Sequence, residues 1–305
     1  MTRFNSILIL LLFFSTLLFF SCTQQDTAEE SALTWETVQD SDDILVSIDG
    51  FSGPEAVRYD PDQDIYFISN FNGPGGERDS NGFVSKVSPQ GLIDSLRFMT
   101  GTEEHPLHAP RGMYITGDTL WAADADGVHG FDRISGSQIA FIDFTTFEPG
   151  FLNDIVMGSE GALYVTDTGK SVVYQIEKGA PSEVTGTMPY PPNGITINSK
   201  GDVVMAPWNG GLTFYQITTA TPGYIEFMNA ESGGNYDGIE FIGGRMLAAS
   251  QVDSSLHVLH DNEDQIAIKT PGRPADIGID TKRNRVAVPY VALNRVDIWQ
   301  LPGEM

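Results

Sequence analysis

The sequence predicts an all-β protein, a ring of six four-stranded blades, and three observations carry that prediction. A short phrase recurs six times, the interval is near forty residues, and each interval holds short apolar runs parted by turn residues with no long helical period. The phrases are Pro54-Glu55-Ala56-Val57, Pro110-Arg111-Gly112-Met113, Leu152-Asn153-Asp154-Ile155, Pro192-Asn193-Gly194-Ile195, Tyr236-Asp237-Gly238-Ile239 and Ala275-Asp276-Ile277-Gly278. Their polar residues, Glu55, Arg111, Asn153, Asn193, Asp237 and Asp276, stand 56, 42, 40, 44 and 39 positions apart. Four strands in each such unit is the signature of a β-propeller, and six phrases predict six blades.

Each unit follows one order. The first strand opens at the phrase, and a turn rich in Asp, Gly, Lys or Asn follows: Asp60-Pro61-Asp62, Thr116-Gly117-Asp118, Ser159-Glu160-Gly161, Ser199-Lys200-Gly201, Gly243-Gly244 and Lys282-Arg283-Asn284. Second strands are expected at Ile65–Ile68, Leu120–Ala123, Leu163–Thr166, Val203–Ala206, Met246–Ala249 and Val286–Val288. Third strands are expected at Phe83–Val87, Val128–Phe131, Val172–Ile176, Leu212–Ile217, Leu256–Leu259 and Val296–Leu301. A less regular fourth follows in most units, as at Ile139–Phe144 and Ile266–Ile268. The sixth unit has no room for its fourth strand, so Ile44–Ile48 is expected to supply it. That N-terminal strand completes the last blade and closes the ring over residues 43–302, leaving no open edge.

Residues 1–22 read as a targeting segment. Arg3 supplies the positive start, Ile7 to Phe20 is almost wholly apolar, and Ser21 precedes Cys22, the single cysteine. The pattern predicts a bacterial lipoprotein signal peptide, cleaved before Cys22 and lipidated on its sulfur, and its length argues against a retained span. The protein is then expected in the cell envelope, periplasmic or at the outer surface, touching membrane through the N-terminal lipid anchor only. Residues 23–42 carry Asp26, Glu29, Glu30, Glu36, Asp40 and Asp42 with no basic residue, which predicts a disordered acidic tether. Without a second cysteine the domain has no disulfide and rests on its core.

The chain has 41 acidic against 17 basic residues, a formal charge of −24. Nucleic acid is excluded as a partner by repulsion of its phosphates, whereas hard cations suit this surface. A small-molecule substrate and a monomer are expected.

In a propeller the innermost strands line the central channel, so the six polar residues are expected to converge at one mouth. Crowded carboxylates repel unless a cation or proton intervenes. Glu55, Asp237, Asp276, Asn153 and Asn193 offer oxygen, with no thiol or imidazole among them, which favours calcium or magnesium over zinc or copper. Calcium accepts irregular oxygen sets and is the expected divalent cation. A second reading stays open on the residues alone: a wet polar mouth that binds only water.

Gly53-Pro54-Glu55 in blade one, Leu152-Asn153-Asp154-Ile155 in blade three, Pro192-Asn193-Gly194 in blade four and Tyr236-Asp237-Gly238 in blade five carry a family resemblance. Over residues 43–301 the chain resembles the regucalcin/gluconolactonase-like propellers, the senescence-marker-protein, gluconolactonase and luciferin-regenerating-enzyme group, with kinship to paraoxonases and strictosidine-synthase-like proteins. The resemblance implies metal ligation by Glu55, Asn193 and Asp237, with Asn153 contacting metal or substrate. It also implies hydrolysis of a small ester or lactone, with Asp237 taking the proton from the attacking water. Two departures stand out. Phe151 replaces an arginine frequent in gluconolactonase-like members, and Arg111 replaces a paraoxonase-like histidine; both put a sugar lactone and a histidine base in doubt. Arg111 and Asp276 are expected to contact substrate, Arg111 holding an anionic group or pairing with Asp276 or Glu55. A non-catalytic binding propeller of the NHL-repeat sort is the alternative, and a streptogramin-type lyase a third.

Other residues read more plainly. His105 and His108, in the loop before blade two, are expected at the surface, and His129, His257 and His260 away from the axis. Asp124 and Asp126 resemble half a calcium loop, yet Asp124 matches Asp167 in position, which favours turn capping. The irregular stretch from Asn70 to Asn81 reads as a mobile surface loop or a lid, and Trp208 as a cavity wall or core filler. No serine nucleophile motif, phosphate-binding glycine loop or cysteine pair occurs.

Overall fold

Short apolar strands of this kind cannot bury both faces within one sheet, so each sheet needs a neighbour on either side. In the computed structural model, which describes residues 37–218, 221–261 and 263–302, the described residues form six four-stranded antiparallel sheets arranged as a six-bladed propeller. The signal segment, Cys22 and residues 23–36 of the expected tether lie outside the described residues.

The innermost strands are Pro54–Asp60, Met113–Thr116, Leu152–Met157, Pro192–Ile197, Tyr236–Ile242 and Gly278–Asp280, in blades one to six. Second strands such as Ile65–Asn70 and Leu163–Asp167 are buried at every residue, because a blade packs against both of their faces. Six hydrophobic clusters result, one at each junction between neighbouring blades. Between blades one and two, Ala56, Phe67 and Val84 pack with Met113, Leu120 and Phe131. The junction of blades six and one is built in the same way, from Val57, Tyr66 and Ile68 with Ala287, Val296 and Ile298.

The last blade is completed from the N-terminal side, as the sequence predicts, with the strand at Val46–Asp49. It pairs antiparallel with Arg295–Gln300, Val46 opposite Ile298 and Asp49 opposite Arg295, and Ser47 Oγ donates to Asp297 Oδ1 at 2.7 Å. Within the expected tether, residues 39–42 take part in regular structure. Gln39 forms a parallel bridge with Ile268 in the outer strand of blade five, and Asp40 caps a short 3-10 turn at Ser41–Asp43. The backbone bonds that Gln39 makes to Ala267 and Lys269 satisfy groups of an otherwise open sheet edge.

Candidate active site

Register explains why four of the six repeated polar residues face the channel. The innermost strands of blades one, three, four and five each carry a bulge, between Pro54 and Val57, Leu152 and Ile155, Pro192 and Ile195, and Tyr236 and Ile239. Glu55, Asn153, Asn193 and Asp237 each occupy the first bulged position. A bulge interrupts strict alternation and re-aims a side chain. All four line one cavity of about 700 Å³ at the channel mouth. They are 4 %, 5 %, 2 % and 5 % exposed, so the cavity floor is largely desolvated.

The residue after each bulged position sits against the next blade. A Cβ on Gly194 would stand 2.0 Å from the Asp237 carbonyl oxygen, and one on Gly238 would stand 2.4 Å from Asp276 Oδ1. Glycine is required there by the close approach of neighbouring strands around the axis.

Blades two and six lack the bulge, and their polar residues behave differently. Arg111 and Asp276 precede the strands at Met113–Thr116 and Gly278–Asp280, and neither lines the cavity. Arg111 is buried with its guanidinium 3.8 Å from the centre of the Phe151 ring; it donates to Leu152 O at 2.8 Å and to Gly75 O. It therefore braces Phe151, which lines the cavity, without lining it itself. The two departures from the family pattern, Arg111 and Phe151, touch each other. Asp276 Oδ2 lies 3.5 Å from the Arg58 guanidinium, outside the cavity lining.

Arg58 closes the channel beneath the ring. From blade one it donates to Met113 O at 2.6 Å in blade two, pairs with Glu240 in blade five and approaches Asp276 in blade six. Burial works against its charge, yet Glu240 and Asp276 raise its pKa above the ordinary value. Asp154 shares this lower tier, its carboxylate accepting from Ile155 N at 2.7 Å and Ile195 N at 2.9 Å.

Five carboxylates, those of Glu55, Asp154, Asp237, Glu240 and Asp276, thus crowd the channel with a single ion-paired cation, Arg58. Burial, with Asp237 and Asp154 nearby, holds Glu55 well above the usual carboxylate range, partly offset by Arg111. Burial pushes Asp237 up to about 7, Asp154 adding to the rise and Gln251 opposing it through the 2.7 Å bond from its Nε2 to Asp237 Oδ2. Asp154 is pushed up to about 6 by burial, and Asp276 well above its ordinary value by burial and by Asp154.

The floor fits a hard cation. Glu55 Oε2 and Asn193 Oδ1 are buried without any hydrogen-bond donor, and a polar atom left so costs about 1–3 kcal/mol. Asn153 Nδ2 donates to Thr168 Oγ1 at 3.1 Å, which leaves its Oδ1 for the cavity. Oxygen atoms alone are offered, the donor set of calcium or magnesium.

The walls are apolar: Phe71, Phe151, Trp208 and Val291 surround the floor, with Arg273 at the rim. Phe71 and Gly75 place the irregular stretch from Asn70 to Asn81 at this same mouth. No histidine lines the cavity. His108 Nδ1 accepts from Ser80 N at 3.0 Å, and His105 stacks on Phe141 at 4.3 Å. Sequence reasoning passed over Arg58, Glu240, Asp154 and Gln251. The signal was present, because Arg58 and Glu240 each fall three residues after a ring residue, in blades one and five.

No protein-family model and no curated protein sequence matches the chain. Solved structures do. Regucalcin from Agrobacterium tumefaciens, a calcium-binding protein, is 17 % identical with a TM-score of 0.64, over 87 % of this chain and 96 % of that one. A gluconolactonase from Xanthomonas campestris is 16 % identical with a TM-score of 0.63, over 84 % and 88 %. Virginiamycin B lyase from Staphylococcus aureus, in a form inactivated by replacing a histidine with alanine, is 14 % identical with a TM-score of 0.58, over 84 % and 98 %. The likeness to these proteins is one of fold, a β-propeller.

Proposed function

We propose that this chain is a divalent-cation-dependent hydrolase of small esters or lactones, working at the channel mouth. The observation that carries the reading is the floor itself: Glu55 and Asn193 with donorless buried oxygens, beside Asp237, under apolar walls. Glu55, Asn193 and Asp237 would hold the cation, most suitably calcium, with Asn153 beside them. Once bound, the cation would polarise the carbonyl and offset the negative charge that develops on its oxygen. Asp237 takes the proton from the attacking water, its carboxylate fixed by the 2.7 Å bond from Gln251 Nε2. Water oxygen bonds to the carbonyl carbon, the ester C–O bond breaks, and the proton passes to the leaving oxygen. Phe71, Phe151 and Trp208 exclude water and favour a substrate with an apolar body over a bare sugar lactone.

A lyase of the virginiamycin type is disfavoured. That enzyme loses activity with one histidine, and no histidine lines this cavity. We also propose that the protein is a monomer held at the cell envelope through lipid on Cys22.

The test is an assay of aryl esters and lactones with calcium, magnesium, manganese or zinc. Turnover that appears with a hard cation and disappears, together with cation binding, in Glu55→Ala, Asn193→Ala and Asp237→Ala is expected. A folded protein inert toward the panel with every cation would defeat the hydrolase reading and leave a binding propeller.

A further inference from the structure

We propose that blade two carries a second metal site, made by Asp124, Asp126 and His129, suited to zinc or a similar first-row divalent ion. The three residues surround one tight hairpin: Asp124 follows the second strand at Thr119–Ala123, Asp126 lies in the turn, and His129 is on the third strand at Gly127–Asp132. Their ligand atoms lie within 4.8 Å of one another.

The imidazole points to a ligand. His129 is 0 % exposed, yet neither its Nε2 nor Asp126 Oδ1 has a partner at ordinary hydrogen-bond distance. Nε2 stands 3.4 Å from Asp124 Oδ2 and 3.5 Å from Asp126 Oδ1. These separations are long for N–H···O bonds. They match the roughly 3.3–3.4 Å between two ligand atoms on a tetrahedral ion with bonds of about 2.0–2.1 Å.

Blade five supplies the internal comparison. His257 is likewise the third residue of a third strand, Ser255–His260, and faces Ala248 as His129 faces Ala122. Its nitrogens close to 2.6 Å from Asp264 Oδ1 and 2.9 Å from Asp253 Oδ2. An imidazole at this place in a blade therefore reaches hydrogen-bond distance when its partners are carboxylates alone. In blade two a gap is kept.

The surroundings are arranged as outer partners. Asp124 accepts from His108 N at 2.7 Å and Ala109 N at 2.6 Å, which fixes both its oxygens and fulfils the expected capping role. Because His108 Nδ1 accepts from Ser80 N, its Nε2 carries the proton and stands 3.3 Å from Asp126 Oδ2. Gln138 Nε2 lies 2.8 Å from His129 Nδ1 while Gln138 Oε1 is buried with no partner. Turning that amide over brings Oε1 onto Nδ1–H and frees the Nε2 lone pair for the ion, the arrangement that metal-binding histidines usually have. One imidazole with two carboxylates favours zinc, manganese or iron over calcium, unlike the channel floor. A metal here would pin His108 and Ala109, and with them the approach to Arg111.

Chelator-stripped protein, saturated with calcium, should be titrated with zinc chloride by calorimetry. One further equivalent of zinc and a raised Tm are expected in the wild type. Asp126→Asn and His129→Gln should lose that equivalent and still take up calcium, whereas Glu55→Gln should keep it. Should His129→Gln not fold by circular dichroism, Asp126→Asn, in the partly exposed turn, decides. Zinc uptake unchanged in Asp126→Asn, absent from the wild type, or lost in Glu55→Gln would overturn the site.

Discussion

Glu55 and Asp237 set the behaviour of the channel mouth, each a carboxylate kept out of water among others of its kind. Glu55→Gln preserves shape and removes one charge. It should leave the far-UV spectrum unchanged and weaken calcium binding by at least the roughly 10–100-fold that loss of an outer partner costs; unchanged affinity in a calcium titration would remove Glu55 from the ligand set. Asp237 also makes stability depend on pH. Its folded pKa of about 7 exceeds the unfolded value of about 3.9, so the folded state binds the extra proton in between. The stability this group contributes is complete below the unfolded value and is lost as pH rises through about 7. In chelator, Tm should therefore fall between about pH 5 and pH 8, and the rise on adding calcium should be larger at the higher pH. A calcium increment independent of pH would contradict this.

Bulges and glycines turn six similar strands into one asymmetric site. A Cβ at Gly194 would collide with a backbone oxygen of the next blade, whereas one at Gly76 meets nothing within 4 Å. Gly194→Ala should cost at least the ~1–3 kcal/mol of an overpacked core, a drop of several degrees in Tm, and weaken calcium binding by displacing Asp237. Gly76→Ala should melt as the wild type does; equal effects would contradict the packing account. The repeat made this layer of structure legible, because a polar residue opening an apolar run marks where each innermost strand begins. The phase alone could not show that Glu55, Asn153, Asn193 and Asp237 are bulged while Arg111 and Asp276 precede their strands, since a bulge depends on pairing partners elsewhere in the sheet. Arg58 and Glu240 escaped notice for a related reason. A charged residue on a strand ordinarily faces water, and only ring closure brings these two together inside the channel.

At the scale of the whole molecule, the ring is closed by Val46–Asp49 against Arg295–Gln300. Removing residues 1–36 should leave the melting curve unchanged, while removal through Gly50 should lower Tm and promote aggregation through the bared edge of Arg295–Gln300. Equal melting of both truncations would show that closure contributes nothing. Closure matters to chemistry as well as stability, because the candidate ligands come from blades one, four and five and share a floor only in the completed ring. A strongly acidic chain with 41 Asp and Glu residues is matched to a cation in such a place. The most direct measurement is anomalous diffraction from crystals grown with calcium. The predicted result is a single strong channel peak about 2.3–2.6 Å from oxygens of Glu55, Asn193 and Asp237. A channel without that peak at saturating calcium, or a peak bonded to none of the three, would contradict it.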